Sequence, residues 1–169
     1  NSDDVYSDNL VLKDVADSFV LKKSCFVYGD IDMVDSNNAI CRKWITGKMH
    51  YLKYLGLKTL PHPAFFVSKN ELLKLDTCFD SSYEIAADIK QQLILLHKNK
   101  INGSYIDRSL VKMRIGGQST KNFSSFLKSW KESARAYSEV FGGRGYYFAF
   151  AKSTSKIKGI RKGLFFKQK

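Results

Sequence analysis

The sequence predicts an α/β protein, and three observations carry that prediction. Apolar residues recur at helical spacing in three separate stretches, 8–21, 86–97 and 119–140. Short apolar or alternating runs bounded by turn residues lie between them and read as strands. The 169 residues are 44% hydrophobic and 14% aromatic, which suits one domain with its own core and argues against disorder.

The elements follow in chain order. Leu10, Val11, Val15, Phe19 and Val20 mark an amphipathic helix over 8–21. The run from Cys25 to Asp35 alternates from Ile31 onward and reads as a strand with its acids on one face, Asp30 among them as a solvent-facing acid. Ser36-Asn37-Asn38 is a turn by composition, and 39–45 reads as the returning strand of a hairpin. Residues 48–60 are basic and aromatic, a short helix or a loop. Pro61-His62-Pro63 stops any helix, since each proline removes a donor and restricts its predecessor.

Ala64-Phe65-Phe66-Val67 is a short apolar strand. Ser68 with Glu71 three residues on forms a capping-box pattern for a helix through Leu75. Ile89, Leu93, Ile94 and Leu96 place another helix from Ala86 to His97. Gly103 to Ile115 holds a strand or two, and Gly116-Gly117 ends it. A long helix over 119–140 takes Ser119 or Thr120 as its cap. Gly142 to Gly145 reads as a hinge, followed by an aromatic and basic helix or tail over 146–166.

The net charge of +12 is unevenly spread. Residues 1–40 carry eight acids and three bases, whereas 121–169 carry twelve bases and two acids. The acidic end suits a cation, and the basic end suits phosphates of lipid or nucleic acid. Cys25, Cys41 and Cys78 form neither a CxxC pair nor an even set, so they read as reduced, buried or half-buried thiols. No run of about 18 apolar residues occurs, so no membrane-spanning helix is expected, and no signal peptide is read.

Several short segments suit chemistry. Asn1-Ser2-Asp3-Asp4 opens the chain with an acidic pair. By itself such a pair is a solvated terminus, but one or two carboxylates can also hold Mg²⁺ or Mn²⁺ with phosphate oxygens. Tyr28-Gly29-Asp30 follows, then Pro61-His62-Pro63-Ala64-Phe65-Phe66. Phe79-Asp80-Ser81-Ser82-Tyr83-Glu84-Ile85-Ala86-Ala87-Asp88 is the most specific segment. Its last acid stands at a helix start, where a carboxylate can cap the helix and can also accept a proton from a bound hydroxyl. Gly116-Gly117-Gln118-Ser119 comes last.

In this order the segments resemble those of family 2 glycosyltransferases. The likeness covers nearly all of residues 1–120. In that family a motif like Asp-x-Asp, then a Tyr-Gly-Asp strand, a His-Gln-Ala-x-Phe-Phe stretch, a Phe-Asp-x-x-Tyr-x-Ile-Ala-x-Asp segment and a Gly-Gly-x-Ser loop succeed one another. The resemblance implies the C-terminal portion of a GT-A fold, a mixed sheet flanked by helices over 1–120, with a basic, aromatic helical extension over 121–169. It implies metal ligation by Asp3 and Asp4, a base at Asp88, and substrate contacts from Asn1, His62, Glu84 and Ser119. Two departures stand out: Asn1 replaces an acid of the metal motif, and Pro63 replaces the glutamine.

The activity implied is inverting transfer of a sugar from a UDP- or GDP-sugar to a hydroxyl of a glycan or lipid-linked acceptor. The setting implied is bacterial surface-polysaccharide synthesis, cytoplasmic or peripheral on the inner membrane face. The resemblance also implies that the chain starts at the metal site and that the nucleotide-binding half lies upstream, so the chain alone is expected to bind donor poorly. The alternative is a non-catalytic module that docks on an anionic membrane, or less readily on nucleic acid, through Lys152, Lys156, Lys158, Arg161 and Lys162 and the interleaved aromatics. A metal-dependent phosphotransferase is disfavoured, since no Gly-rich phosphate loop with lysine occurs.

Overall fold

A computed structural model of the chain describes residues 3–49, 60–115, 123–143 and 147. Residues 50–59, read as a short helix or a loop, Gly116-Gly117, read as the end of the strand, and the residues after Tyr147, read as a basic helix or tail, lie outside the described residues.

The first helix, α1 (Val11–Lys22), starts where Asp8 Oδ1 accepts the Leu10 N–H at 2.9 Å. Lys23 ends it in the left-handed region at φ 46°. Val11, Val15 and Ser18 form its buried stripe, while Leu12, Val20 and Leu21 stay exposed.

The strand β2 (Phe26–Val34) is the centre of a mixed sheet. It is buried on both faces, and its two acids, Asp30 and Asp32, are buried with it. The strand β3 (Ile40–Trp44) returns antiparallel along its second half, and β4 (Phe65–Val67) along its first. The hairpin turn is set by Asp35, whose Oδ1 accepts the N–H groups of Asn37 and Ala39 at 2.8 and 2.9 Å. Asn38 takes φ 62°, a conformation asparagine tolerates.

On the other side of β2 runs β5 (Gly103–Arg114), parallel to it and a single strand where the sequence allowed two. The two-residue β1 (Val5–Tyr6) pairs antiparallel with β5, giving the order β1-β5-β2-β3. Gly103 is required here, because a Cβ would stand 2.1 Å from the Phe26 ring.

Helices lie on the sheet. A cluster of Val11, Val15, Val27, Ile31 and Leu110 joins α1 to it. A second cluster, Phe26, Tyr28, Leu60 and Leu96, joins it to the helix α3 (Ala87–Leu93), which continues as a π-turn over Ile94–Lys98. A third, Tyr83, Ala86, Leu93, Ala136 and Tyr137, packs α3 on α4 (Phe123–Phe141). The α2 helix (Lys69–Leu72) keeps the expected cap, Ser68 Oγ accepting from Glu71 N–H. It ends before Leu75, and Leu73, which follows its last residue, is exposed.

Three readings are corrected. Asp30 does not face solvent: it is buried under Tyr105 and Thr46. Cys41 and Cys78 are exposed, and only Cys25 is half-buried. Pro61-His62-Pro63 does not merely interrupt: His62–Ala64 forms a 3₁₀ turn leading into β4. No helix among the described residues is long and apolar enough to cross a membrane.

Candidate active site

The sheet decides where the opening acids go. Val5 pairs with Lys112 in the antiparallel β1–β5 ladder, and β5 runs parallel to β2. Asp3 and Asp4 therefore lie at the carboxyl end of the two parallel strands, the end at which open α/β sheets bind ligands. Asp4 is half-buried and Asp3 is exposed.

Residues 62 and 63 approach the same end. Phe65 pairs antiparallel with Tyr28, so the residues before it stand beside the carboxyl half of β2. An open cleft of about 460 Å³ lies there, lined by Asp4, Val5, Tyr6, Pro63 and Val111. The Tyr6 and Phe66 rings stack at 6.2 Å and tie β1 to β4. His62 is exposed next to Pro63, with its ring edge-on to Phe79 at 6.2 Å.

Asp88 is the second residue of α3, half-buried, and its Oδ1 accepts the Ile89 N–H at 2.8 Å. Gln92 stands one turn later on the same helix face. Its buried amide grips the backbone of Leu60 twice, accepting from the N–H at 3.0 Å and donating to the C=O at 3.1 Å. The helix face that carries Asp88 is thus bonded to the segment that leads into His62 and Pro63. Asp88 itself is not among the described residues lining the cleft.

Glu84 is turned elsewhere. It is exposed and ion-paired with Lys128 of α4. Asn1 and Ser119 lie outside the described residues.

The helix α4 fixes the approach to Asp88. The Glu132 carboxylate accepts the N–H groups of Glu84, Ile85 and Ala86 at 3.3, 2.8 and 2.9 Å. Burial pushes the Glu132 carboxyl up, but these amides outweigh it and hold the group below its usual range. Lys90 bridges Asp80, at 2.7 Å, to Glu139, which Arg135 also holds at 2.7 Å. The bond from Lys90, then those from Ser82, keep the Asp80 carboxyl well below the carboxylate range. The Tyr83 ring lies between Lys90 and Arg135, 5.0 and 4.5 Å from its centroid.

A buried network also fixes the chain entering 50–59. Asp30 accepts the Thr46 N–H at 2.7 Å and the Tyr105 hydroxyl at 2.8 and 2.9 Å. The Tyr28 hydroxyl donates to Gly47 O at 3.2 Å and accepts from Met49 N–H at 2.7 Å.

Sequence reasoning missed Gln92, Glu132 and the Asp30–Tyr105 pair. Two signals were present. Gln91 and Gln92 are polar residues in the middle of an apolar helix pattern, and Glu132 and Glu139 are the two acids of an otherwise basic segment.

Asp3 and Asp4 are hard oxygen donors of the kind Mg²⁺ or Mn²⁺ takes, and Asp4 reaches the cleft. Among the described residues no three His, Cys, Asp or Glu side chains gather into a metal-holding group. A cation held by the acidic pair would draw the rest of its shell from ligand oxygens and water, a pattern usual for Mg²⁺ bound with phosphates.

No family model matches the chain, and no curated protein or solved structure matches it either.

Proposed function

We propose that the chain carries the metal-side and acceptor-side parts of an inverting, GT-A-type glycosyltransferase of family 2. One observation carries this reading. Asp4 and Pro63, far apart in sequence, line one cleft at the carboxyl end of the parallel strands, and Phe79, from the segment that ends at Asp88, packs edge-on against the neighbouring His62. That end is also where a nucleotide ligand is expected in an open α/β sheet.

In this reading Asp3 and Asp4 hold Mg²⁺ or Mn²⁺, which when bound neutralises the diphosphate of a UDP- or GDP-sugar. Asp88 accepts the proton of the acceptor hydroxyl. The hydroxyl oxygen bonds to the anomeric carbon as the bond from that carbon to the diphosphate oxygen breaks. The electron pair of the broken bond leaves with the diphosphate, and the anomeric configuration inverts. His62 and Pro63 border the acceptor's path. Glu84, exposed and ion-paired with Lys128, stands in the segment before Asp88.

The test is sugar transfer by the whole gene product with UDP- and GDP-sugars and Mn²⁺. Asp88→Asn is expected to reduce turnover at least a hundredfold while leaving the circular dichroism spectrum and melting point in place. Turnover retained in that variant removes Asp88 from the role, and no transfer with any donor removes the reading.

A further inference from the structure

We infer that Glu132, on α4, is a positioning residue for the Asp88 carboxylate. It holds the backbone that leads into α3, so that Asp88 is not drawn back to do so. The inference rests on the proposed transfer reaction and names a part of the same site that lies outside the segments resembling the family.

The N-cap residue of α3 makes no side-chain hydrogen bond. The N-cap position is Ala86, whose side chain can accept nothing. The first N–H groups of a helix still need acceptors. Glu132 supplies one for the Ala86 N–H at the N-cap, and the same carboxylate takes the N–H groups of Glu84 and Ile85 just before it.

Asp88 is the competitor for that role, being the acid in the first turn of α3. With Glu132 in place, Asp88 takes a single hydrogen bond, from its neighbour Ile89 to Oδ1. Among the described residues nothing donates to its Oδ2, which is left to meet a ligand. Without Glu132, three amides lose their acceptor within four residues of a carboxylate that can turn back toward them. Asp88 satisfied in that way is a poorer base and is aimed away from an incoming hydroxyl.

The remaining α4 contacts hold Glu132 in register. Arg135 donates to Ser82 and Glu139, Lys128 pairs with Glu84, and Ala136 and Tyr137 pack under Ala86. The extension is thereby a working part of the site.

The experiment compares the whole gene product with its Glu132→Gln and Glu132→Asp variants in steady-state transfer. Amide hydrogen exchange at residues 84–86 is followed alongside. Glu132→Gln keeps the shape but has one acceptor oxygen for three donors. It is expected to lower kcat about tenfold or more with donor KM within twofold, and to speed exchange at Ile85 and Ala86. Glu132→Asp, which keeps both oxygens, is expected to recover part of kcat. A Glu132→Gln protein with wild-type kcat despite fast exchange overturns the inference and leaves the transfer reading standing. A fall in kcat that only follows the folded fraction, with no rescue by aspartate, also overturns it. Absence of transfer in the wild-type protein removes both together.

Discussion

Gln92 and Leu60 are joined as one base-pair-like unit, the glutamine amide both accepting from and donating to the leucine backbone, at 3.0 and 3.1 Å, inside the protein. The two residues are separated by β4, α2, the loop before α3 and the first five residues of α3. Their bond sets the distance between the helix carrying Asp88 and the turn carrying His62.

Gln92→Leu should expose how much this link contributes. Two buried backbone groups lose their partners, and each costs about 1–3 kcal/mol when left unsatisfied. The expected loss is about 2–4 kcal/mol, read as a lower urea midpoint at unchanged slope. A variant within about 0.5 kcal/mol of wild type shows that water replaces the amide without penalty.

Tyr105→Phe tests the Asp30 network. It removes one donor from a buried carboxylate that keeps the Thr46 amide. Burial, and then the adjacent Asp30 charge, hold the Tyr105 phenol well above its usual range, so the hydroxyl stays a donor throughout ordinary pH. The expected loss is about 1–2 kcal/mol, with faster amide exchange at Thr46. Unchanged exchange there dissociates Tyr105 from the segment it is taken to hold.

Gly103→Ala should be costly for a change of one methyl group. The new Cβ meets the Phe26 ring at 2.1 Å, and that ring is itself buried beneath Phe65 and Tyr28. Overpacking of this kind costs about 1–3 kcal/mol. Thermal denaturation gives the number, and the double variant Gly103→Ala with Phe26→Leu should recover part of it.

His97 predicts a pH dependence. Its ring packs edge-on to Phe141 at 5.5 Å at the far end of the α3–α4 contact, and burial lowers its proton affinity. The unfolded chain therefore takes up a proton at a pH where the folded one does not. Stability is full above about pH 6.5, the ordinary histidine value, and falls as pH drops from there through the lower folded value. In His97→Phe the melting temperature should be flat over that interval. Any loss remaining below about pH 4.5 in that variant belongs to carboxylates such as Glu132 and Glu139, which are held low in the fold. A slope near pH 6 that survives the substitution removes His97 as its source.

Local pattern sufficed for most elements. The helical spacing from Leu10 to Val20, the Ser36-Asn37-Asn38 turn, the apolar Phe65-Phe66-Val67 run and the Ser68 cap each state their own conformation within a few residues. The burial of Asp30 was not legible, since a lone acid in a strand carries no sign of the tyrosine 75 residues later that covers it. The extent of β5 was hidden for a similar reason. Its polar middle, Asp107-Arg108-Ser109, looks like a break, but Arg108 is held by Asp8 and Asp14 from the first helix region.

The candidate site divides along the same line. The residue types were legible in the sequence: an acidic pair, a histidine between prolines, an aspartate opening a helix. Their placement in the fold was not, because the β1–β5 ladder, the Gln92–Leu60 bond and the Glu132 bonds to residues 84–86 all join segments far apart along the chain. Amino-acid order fixes what each segment prefers over one or two turns. Which distant donors and acceptors become partners depends on how burial and hydrogen bonding are satisfied together, and that was decided when the sheet and helices packed.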